Sequence, residues 1–333
     1  MPVATRSPRT SRKQNLPVIM HAAAIDHFGG PEVLTIHELP VPPLEDGEVL
    51  IAIETAGVGR WDAEMRGGWY PGGKPKFPLV LGTDGSGRVA AVGSRIRRFK
   101  IGEAVYSYSF LNPKGGFYAE YVVVSADKIA PIPAGLDLRE AGAIPTTGLT
   151  ALQGVDDALQ LKHDEAVIIH AASGGVGTLA VQFAKLRDAR VFATASGEDG
   201  VAFVRRLGAD AAVDGKHCDI ASAARQFAPD GADAILALAG GEPLERCLDA
   251  LKPGGRLAYP NGVEPAPKKR AGIRTVPYEA VAGVREFKYL GLAVEAAKLK
   301  VPIAGKFSLD DAARAHGRLA QGHVLGKIVL RNL

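Results

Sequence analysis

Cys218 and Cys247 are the only thiols in the 333-residue chain. Two cysteines cannot supply a disulfide framework or a four-cysteine structural zinc site. Long apolar runs are missing too: no stretch reaches the ~18 consecutive apolar residues that a membrane-crossing helix needs. The opening residues carry no apolar core of the signal-peptide kind, so a secretory leader is not expected. An excess of one charge is absent once a single segment is set aside. Arg6, Arg9, Arg12 and Lys13 fall within the first 19 residues, which contain no acid. Without those four cations, 36 basic residues face 36 acidic ones. The formal charge of +4 therefore describes a tail, and clustered phosphate contacts to nucleic acid are not expected of the core. Residues 1–19 read as a disordered tail, rich in Pro, Ser, Thr and Arg without apolar periodicity. These absences give the expectation of a cytoplasmic protein with neither a membrane nor a nucleic-acid partner.

What is present is an ordinary globular composition, 47% hydrophobic and 23% charged, at a length that favours two domains. One stretch stands out. Residues 166–170 (AVIIH) form a short apolar run ending in the small-residue turn Ala171-Ala172-Ser173-Gly174-Gly175-Val176-Gly177. The following residues to Ala184 carry apolar side chains at helical spacing. Strand, tight turn and helix N-terminus form a seat for a pyrophosphate, with turn N–H groups and the positive end of the helix dipole facing the anion. Against G-x-G-x-x-G, Ala172 stands at the first glycine, Gly174 at the second and Gly177 at the third. An imperfect match of this kind means little without its surroundings.

The surroundings differ between the two halves. Residues 22–139 read as short strands separated by turns, spaced like a small barrel. After the glycine turn, strands at 190–195, 210–213, 232–238 and 255–259 alternate with helices at 200–207, 221–227 and 244–251. Such alternation implies parallel βαβ units in a doubly wound sheet, and the turn opens the first of them, where a dinucleotide motif belongs.

A strand-rich barrel followed by a Rossmann domain resembles the medium-chain dehydrogenase/reductase superfamily. Phe28-Gly29-Gly30-Pro31-Glu32-Val33-Leu34, Gly115-Gly116-Phe117-Tyr118-Ala119-Glu120-Tyr121, Gly148-Leu149-Thr150-Ala151 and Gly326-Lys327-Ile328-Val329-Leu330 are similar to segments of that family. The resemblance implies an α/β chain with a GroES-like β-barrel-type catalytic domain at 20–145 and 285–333. A Rossmann cofactor domain would occupy 146–284. Zinc-dependent members carry G-H-E where this chain reads Gly82-Thr83-Asp84, and Thr83 occupies the place of the metal-binding histidine. A catalytic zinc needs three His, Cys or carboxylate ligands, and no cysteine lies near Gly57-Val58-Gly59 or between Tyr108 and Tyr121. The zinc-free quinone oxidoreductase branch, which includes zeta-crystallin-like proteins, is the closer resemblance; no metal site is expected. One position departs from it: Gly59 stands where that branch usually has Asn, although Asp62 and Arg66 match.

NAD-specific sites place an acid at the end of the second strand to bind the ribose 2′-OH. Here that end is Thr194-Ala195-Ser196, all neutral, which favours NADPH with NADH as the alternative. Ser196 can donate to a 2′-phosphate, although Gly200 stands where relatives commonly add a lysine. The expected cofactor contacts are Thr150, Ser173, Gly174, Gly175, Val176, Gly177, Ser196, Gly240, Asn261 and Lys327. Hydride transfer is chemistry the cofactor carries, so no nucleophile is required, and no catalytic residue is assigned. Arg60, Trp61, Asp62, Tyr70 and Tyr108 are the expected substrate cleft, its aromatic rings suited to a planar electrophile. The histidines at 163, 170, 217, 316 and 323 show no ligand spacing and read as structural or surface residues. The leading expectation is thus a zinc-free reductase of quinones or of activated C=C bonds such as enones and alkenals. A non-catalytic NADPH-binding protein is the alternative, crystallin-like or RNA-binding, and a zinc-dependent alcohol dehydrogenase the least favoured. By resemblance the chain is a homodimer, paired along the Rossmann sheet edge near Leu257.

Overall fold

The computed structural model describes residues 16–332. Most of the expected tail, residues 1–15, lies outside the described residues. Residues 18 and 19 belong to the body of the protein: Val18 O accepts from Val41 N at 2.9 Å, and the first strand opens at Ile19.

The strand Ala166–His170 is buried at every position, as a strand covered on both faces must be. It lies inside a six-stranded sheet in the order Ala211–Asp214, Arg190–Ala195, Ala166–His170, Ala232–Ala237, Leu251–Pro260, Arg274–Tyr278, with all neighbours parallel. The chain winds outward from Ala166–His170 on one side and then crosses back to begin Ala232–Ala237 on the other. Ligands bind at such a reversal, beyond the C-terminal ends of the two central strands.

Three details differ from the sequence reading. The strand expected at 255–259 begins earlier, so that residues 252–255 lie inside the strand Leu251–Pro260. Gly254 takes φ +78° there, and the register against Ala232–Ala237 shifts, so the Pro-Gly-Gly run makes a bulge. The edge strand on that side is Arg274–Tyr278, which has no counterpart in the sequence reading, and Leu257 is an interior position, buried. In the loop before that strand, Arg270 pairs with Glu245 at 3.2 Å and with Asp249.

The other body is strand-rich. Seven strands form one sheet, with Ile303–Ser308, Lys327–Arg331, Glu48–Val58, Asp84–Val92, Ala104–Tyr108 and Ile129–Pro131 in order, and Tyr121–Ser125 also paired to Glu48–Val58. Thr35–Pro40, Ile19–Ile25 and Leu79–Val80 form a second, antiparallel sheet. Between them sits a core that includes Ile25, Ile51, Leu81, Phe117 and Tyr118. The helix Val284–Ala297, within the segment read as part of this domain, packs on both bodies. It touches the helices Pro145–Gln153 and Gly175–Leu186 and also the strand Ile129–Pro131. Beyond it the chain forms the strand Ile303–Ser308, a single turn at Leu309–Asp311, and the helix Ala312–Ala320. Ser308 Oγ bonds the Asp311 carboxylate at 3.0 Å rather than a backbone N–H.

The two bodies meet at one point that matters for function. Gly326, entering the last barrel strand, pairs with Gly174 in an isolated bridge and donates its N–H to Ser173 O at 2.9 Å. The glycine turn is thereby held against the barrel.

Candidate active site

The turn after Ala166–His170 is pinned to the neighbouring strand. Ala171 N donates to Thr194 Oγ1 at 3.1 Å and Ala172 N to Thr194 O at 2.8 Å. Ala171 takes φ +60°, a conformation that costs an L-residue roughly 1–2 kcal/mol and is retained here at the mouth of the cleft. Gly177 is required by packing: a Cβ there would lie 2.6 Å from Ala172 Cα and O. Gly174 has the opposite surroundings. At φ −80° and ψ 176° it is the N-cap of Gly175–Leu186 and gives no side-chain cap, and a Cβ there would meet nothing closer than 3.9 Å. The first-turn N–H groups of a helix have no intrahelical partners. Here they open onto free space lined by Gly174, Gly175 and Val176. An uncapped helix N-terminus facing an open cradle fits a dinucleotide pyrophosphate.

That cradle is the middle of a cleft of about 400 Å³ between the two bodies. At one end Ser196 Oγ lies 3.2 Å from His323 Nδ1, and His323 Nε2 lies 2.9 Å from the Asp199 carboxylate. The pairing holds the Asp199 carboxyl below its usual range. At the other end the wall is barrel-derived: Gly59, Arg60, Trp61, Thr83, Tyr108 and Phe110. Trp61 packs on Trp69 and Phe110, with ring centroids 5.1 and 5.6 Å apart. A Cβ on Gly262 would lie 3.0 Å from the Trp61 ring, so this indole also meets the loop after Leu251–Pro260.

Nine of the ten expected cofactor residues line the cleft: Thr150, Ser173, Gly174, Gly175, Val176, Gly177, Ser196, Asn261 and Lys327. Gly240 does not; its α-carbon is pressed against the backbone of Glu264 and Pro265, and Leu238 forms the wall instead. Among the substrate residues, Arg60, Trp61 and Tyr108 face the cleft. Tyr70 packs against the barrel core, away from it, and Trp69 is about half exposed. Asp62 lies beneath the cleft floor, fully buried, where its Oδ2 accepts from Gly59 N at 2.8 Å. His323, read as structural or surface, lines the cleft. Thr146, Thr147 and Tyr278 do so without having been expected, and Tyr278 OH donates to Thr150 O at 2.8 Å.

Below the barrel end lies a buried ionic cluster. Asp84 Oδ2 accepts from Thr146 N at 2.8 Å, and Lys327 Nζ lies 4.0 Å from its Oδ1. Burial pushes the Asp62 carboxyl up to about 7, an effect reduced by Lys327 and increased by Asp84. Tyr118 OH bonds His316 Nε2 at 3.1 Å, and Arg66 Nη1 bonds His316 Nδ1 at 3.1 Å. Desolvation, aided by the Arg66 cation, lowers His316 to about 3. Among the described residues no three His, Cys, Asp or Glu side chains converge as metal ligands, and none of the helices is long and apolar enough to cross a membrane.

Comparison with known proteins agrees with this architecture. Residues 45–134 match the alcohol dehydrogenase GroES-like domain and residues 207–330 the zinc-binding dehydrogenase domain. The chain is 31% identical to the quinone oxidoreductase of Lama guanicoe, over 94% of this chain and 97% of that protein. Among solved structures, an NAD-dependent alcohol dehydrogenase is 34% identical with a TM-score of 0.87, covering 94% of this chain and 100% of that one. The Escherichia coli quinone oxidoreductase complexed with NADPH is 25% identical with a TM-score of 0.84, again over 94% and 100%.

Proposed function

Because the chain belongs to the medium-chain dehydrogenase/reductase family, in its zinc-independent quinone oxidoreductase branch, we propose that its cleft reduces quinones or activated C=C bonds with NADPH. The protein is an NADPH-dependent oxidoreductase. The observation that carries the reading is the continuity of the cleft, from an uncapped helix N-terminus to an aromatic wall of Trp61, Tyr108 and Phe110. Bound NADPH supplies a hydride. The chain supplies the rest: first-turn N–H groups of Gly175–Leu186 for the pyrophosphate, Ser196 Oγ and the His323 ring for the 2′-phosphate, and Trp61 as a flat surface for a planar acceptor. The absence of an acid directly at the end of Arg190–Ala195 supports NADPH over NADH. Asp199, four residues beyond Ala195, is engaged by His323.

The same reading takes the protein to be cytoplasmic and a homodimer joined along the exposed edge of Arg274–Tyr278, with no nucleic-acid partner. Light scattering on the purified chain tests the dimer; a monomer at micromolar concentration refutes it. The activity is tested by following NADPH oxidation at 340 nm against quinones, enones and alkenals after chelator treatment. Stimulation by members of either acceptor class supports the reading. NADPH binding without turnover of any acceptor replaces it with a non-catalytic binding role.

A further inference from the structure

Asp62 and Asp84 are both fully buried, and each has one carboxylate oxygen without a hydrogen-bond partner. Around Asp62 the charged and titratable groups are Lys327, Asp84 and Tyr118, with the Gly59 N–H as a further donor. The phenol of Tyr108, paired in register with Asp84, completes the set. Two carboxylates against one ammonium leave an uncompensated negative charge in a dry site, and an isolated buried charge costs far more than taking up a proton. The cluster therefore holds one proton more than the ionised groups would. Two glycines make room for it. A Cβ on Gly57 would lie 2.9 Å from Lys327 Cε and closer still to Asp84 Oδ1, and a Cβ on Gly59 would lie 3.4 Å from both Asp62 Oδ2 and Lys327 Nζ.

Lys327 alone of this trio lines the cleft. Its stem passes under the glycine turn, where a Cβ on Gly175 would be 3.5 Å from Lys327 Cδ. Its amine reaches the barrel end, 3.4 Å from where a Cβ on Gly59 would lie and 4.0 Å from Asp84 Oδ1. On the far side of Asp62, Arg66 can only donate to His316 Nδ1, so Nε2 carries the hydrogen and donates to the Tyr118 oxygen. The Tyr118 hydroxyl hydrogen is left free to face Asp62.

We propose that Lys327 protonates the reduced acceptor, with the carboxyl of Asp62 beneath it held neutral so that Asp84 is its one anionic neighbour. The inference rests on the reductase reading above. Hydride delivery leaves the acceptor anionic, at oxygen for a quinone and at carbon for an enone. The Lys327 N–H bond breaks, its electron pair stays on Nζ, and an O–H or C–H bond forms on the product. Solvent water reaching the cleft then gives up a proton to Nζ and restores the ammonium, and Asp62 stays protonated throughout. Lys327 is the catalytic residue in this scheme; Asp62 acts through it.

The test has one arm without cofactor. Infrared difference spectra of the protein alone should show a protonated carboxyl band that disappears as pH rises through about 7, in line with the raised Asp62 carboxyl. The band should be missing from Asp62→Asn. A wild-type spectrum without such a band overturns the neutral carboxyl, whether or not the variant folds. In the second arm, Lys327→Ala, checked by thermal melting, should lose 10²- to 10⁴-fold in kcat, the usual worth of a positioned proton donor. Added alkylamine should restore part of it, and NADPH affinity, measured separately, should change less than kcat. Undiminished kcat in Lys327→Ala overturns the donor. A wild type that turns over no acceptor refutes the reductase reading instead, so the two failures are distinguishable.

Discussion

Replacing Gly174 by Asp should move helix stability and cofactor affinity in opposite directions. Residue 174 has φ −80° and ψ 176°, extended backbone open to any residue, and a Cβ there has no neighbour within 3.9 Å. The fold should therefore accept the side chain. Asp is a favoured N-cap, worth a few tenths of a kcal/mol over Gly, and its charge adds roughly 0.3–1 kcal/mol against the helix dipole. The melting temperature should hold or rise slightly. The same carboxylate would take the N–H groups that otherwise meet the pyrophosphate and would stand beside its negative charge. Two unit charges about 5 Å apart at an effective dielectric near 20 repel by roughly 3 kcal/mol, which is about a hundredfold in Kd. Titration of NADPH by its fluorescence, paired with a thermal melt, reads both quantities. A variant that melts normally and binds NADPH within threefold of wild type would show that the phosphate seat lies elsewhere.

Other perturbations test separate parts of the structure. Gly177→Ala forces a Cβ to 2.6 Å from Ala172 backbone atoms and should cost about 1–3 kcal/mol, the usual range for overpacking, read as a lowered urea midpoint. Acid should destabilise the fold through His170, which burial lowers to about 4. The neutral ring's contribution is fully present above about pH 6.5, the ordinary histidine value. It is lost as pH falls toward 4, by up to about 3 kcal/mol at ~1.4 kcal/mol per unit. Urea midpoints at pH 7 and 4.5 should converge in His170→Asn relative to wild type, and an equal spread in both proteins would reject the assignment. Trp61→Phe should abolish most of the change in tryptophan emission on acceptor binding, since Trp69 is the only other indole and lies outside the cleft; an unchanged response would remove Trp61 from the acceptor surface. His323→Ala should weaken NADPH more than NADH, as separate Kd measurements would show; equal weakening would detach His323 from the 2′-phosphate.

Much of the fold was legible because it rests on local periodicity. The apolar run at 166–170, the small residues after it and the helical spacing to Ala184 specify strand, turn and helix within twenty residues. Alternation downstream then requires a parallel sheet. The order of strands in that sheet is another matter: Leu251–Pro260 and Arg274–Tyr278 exchange no local signal about which is outermost. The true edge strand is five residues long and carries Pro277, a feature tolerated at an edge but easily read as loop.

Site residues divide along the same line. Those on the glycine turn are contiguous and were found together. His323 was missed because it sits in a loop and meets Ser196 across 127 positions, a separation that no pattern in a single sequence reports. Tyr70 and Gly240 lie near cleft residues in the chain, yet one turns into the barrel core and the other packs under a neighbouring loop. Asp62 was identified, but its position below the floor follows from the Gly59 N–H and from Asp84 and Lys327, which come from three different strands and turns.

The most direct measurement is the rate of NADPH oxidation by purified, chelator-treated protein with 1,4-benzoquinone and an enone supplied in turn as acceptors. Acceptor-dependent loss of absorbance at 340 nm, saturable in both substrates and abolished in Gly174→Asp, is the expected result. Tight NADPH binding with no acceptor-dependent oxidation, or activity that appears only when zinc is restored, would contradict a metal-free reductase built around this cleft.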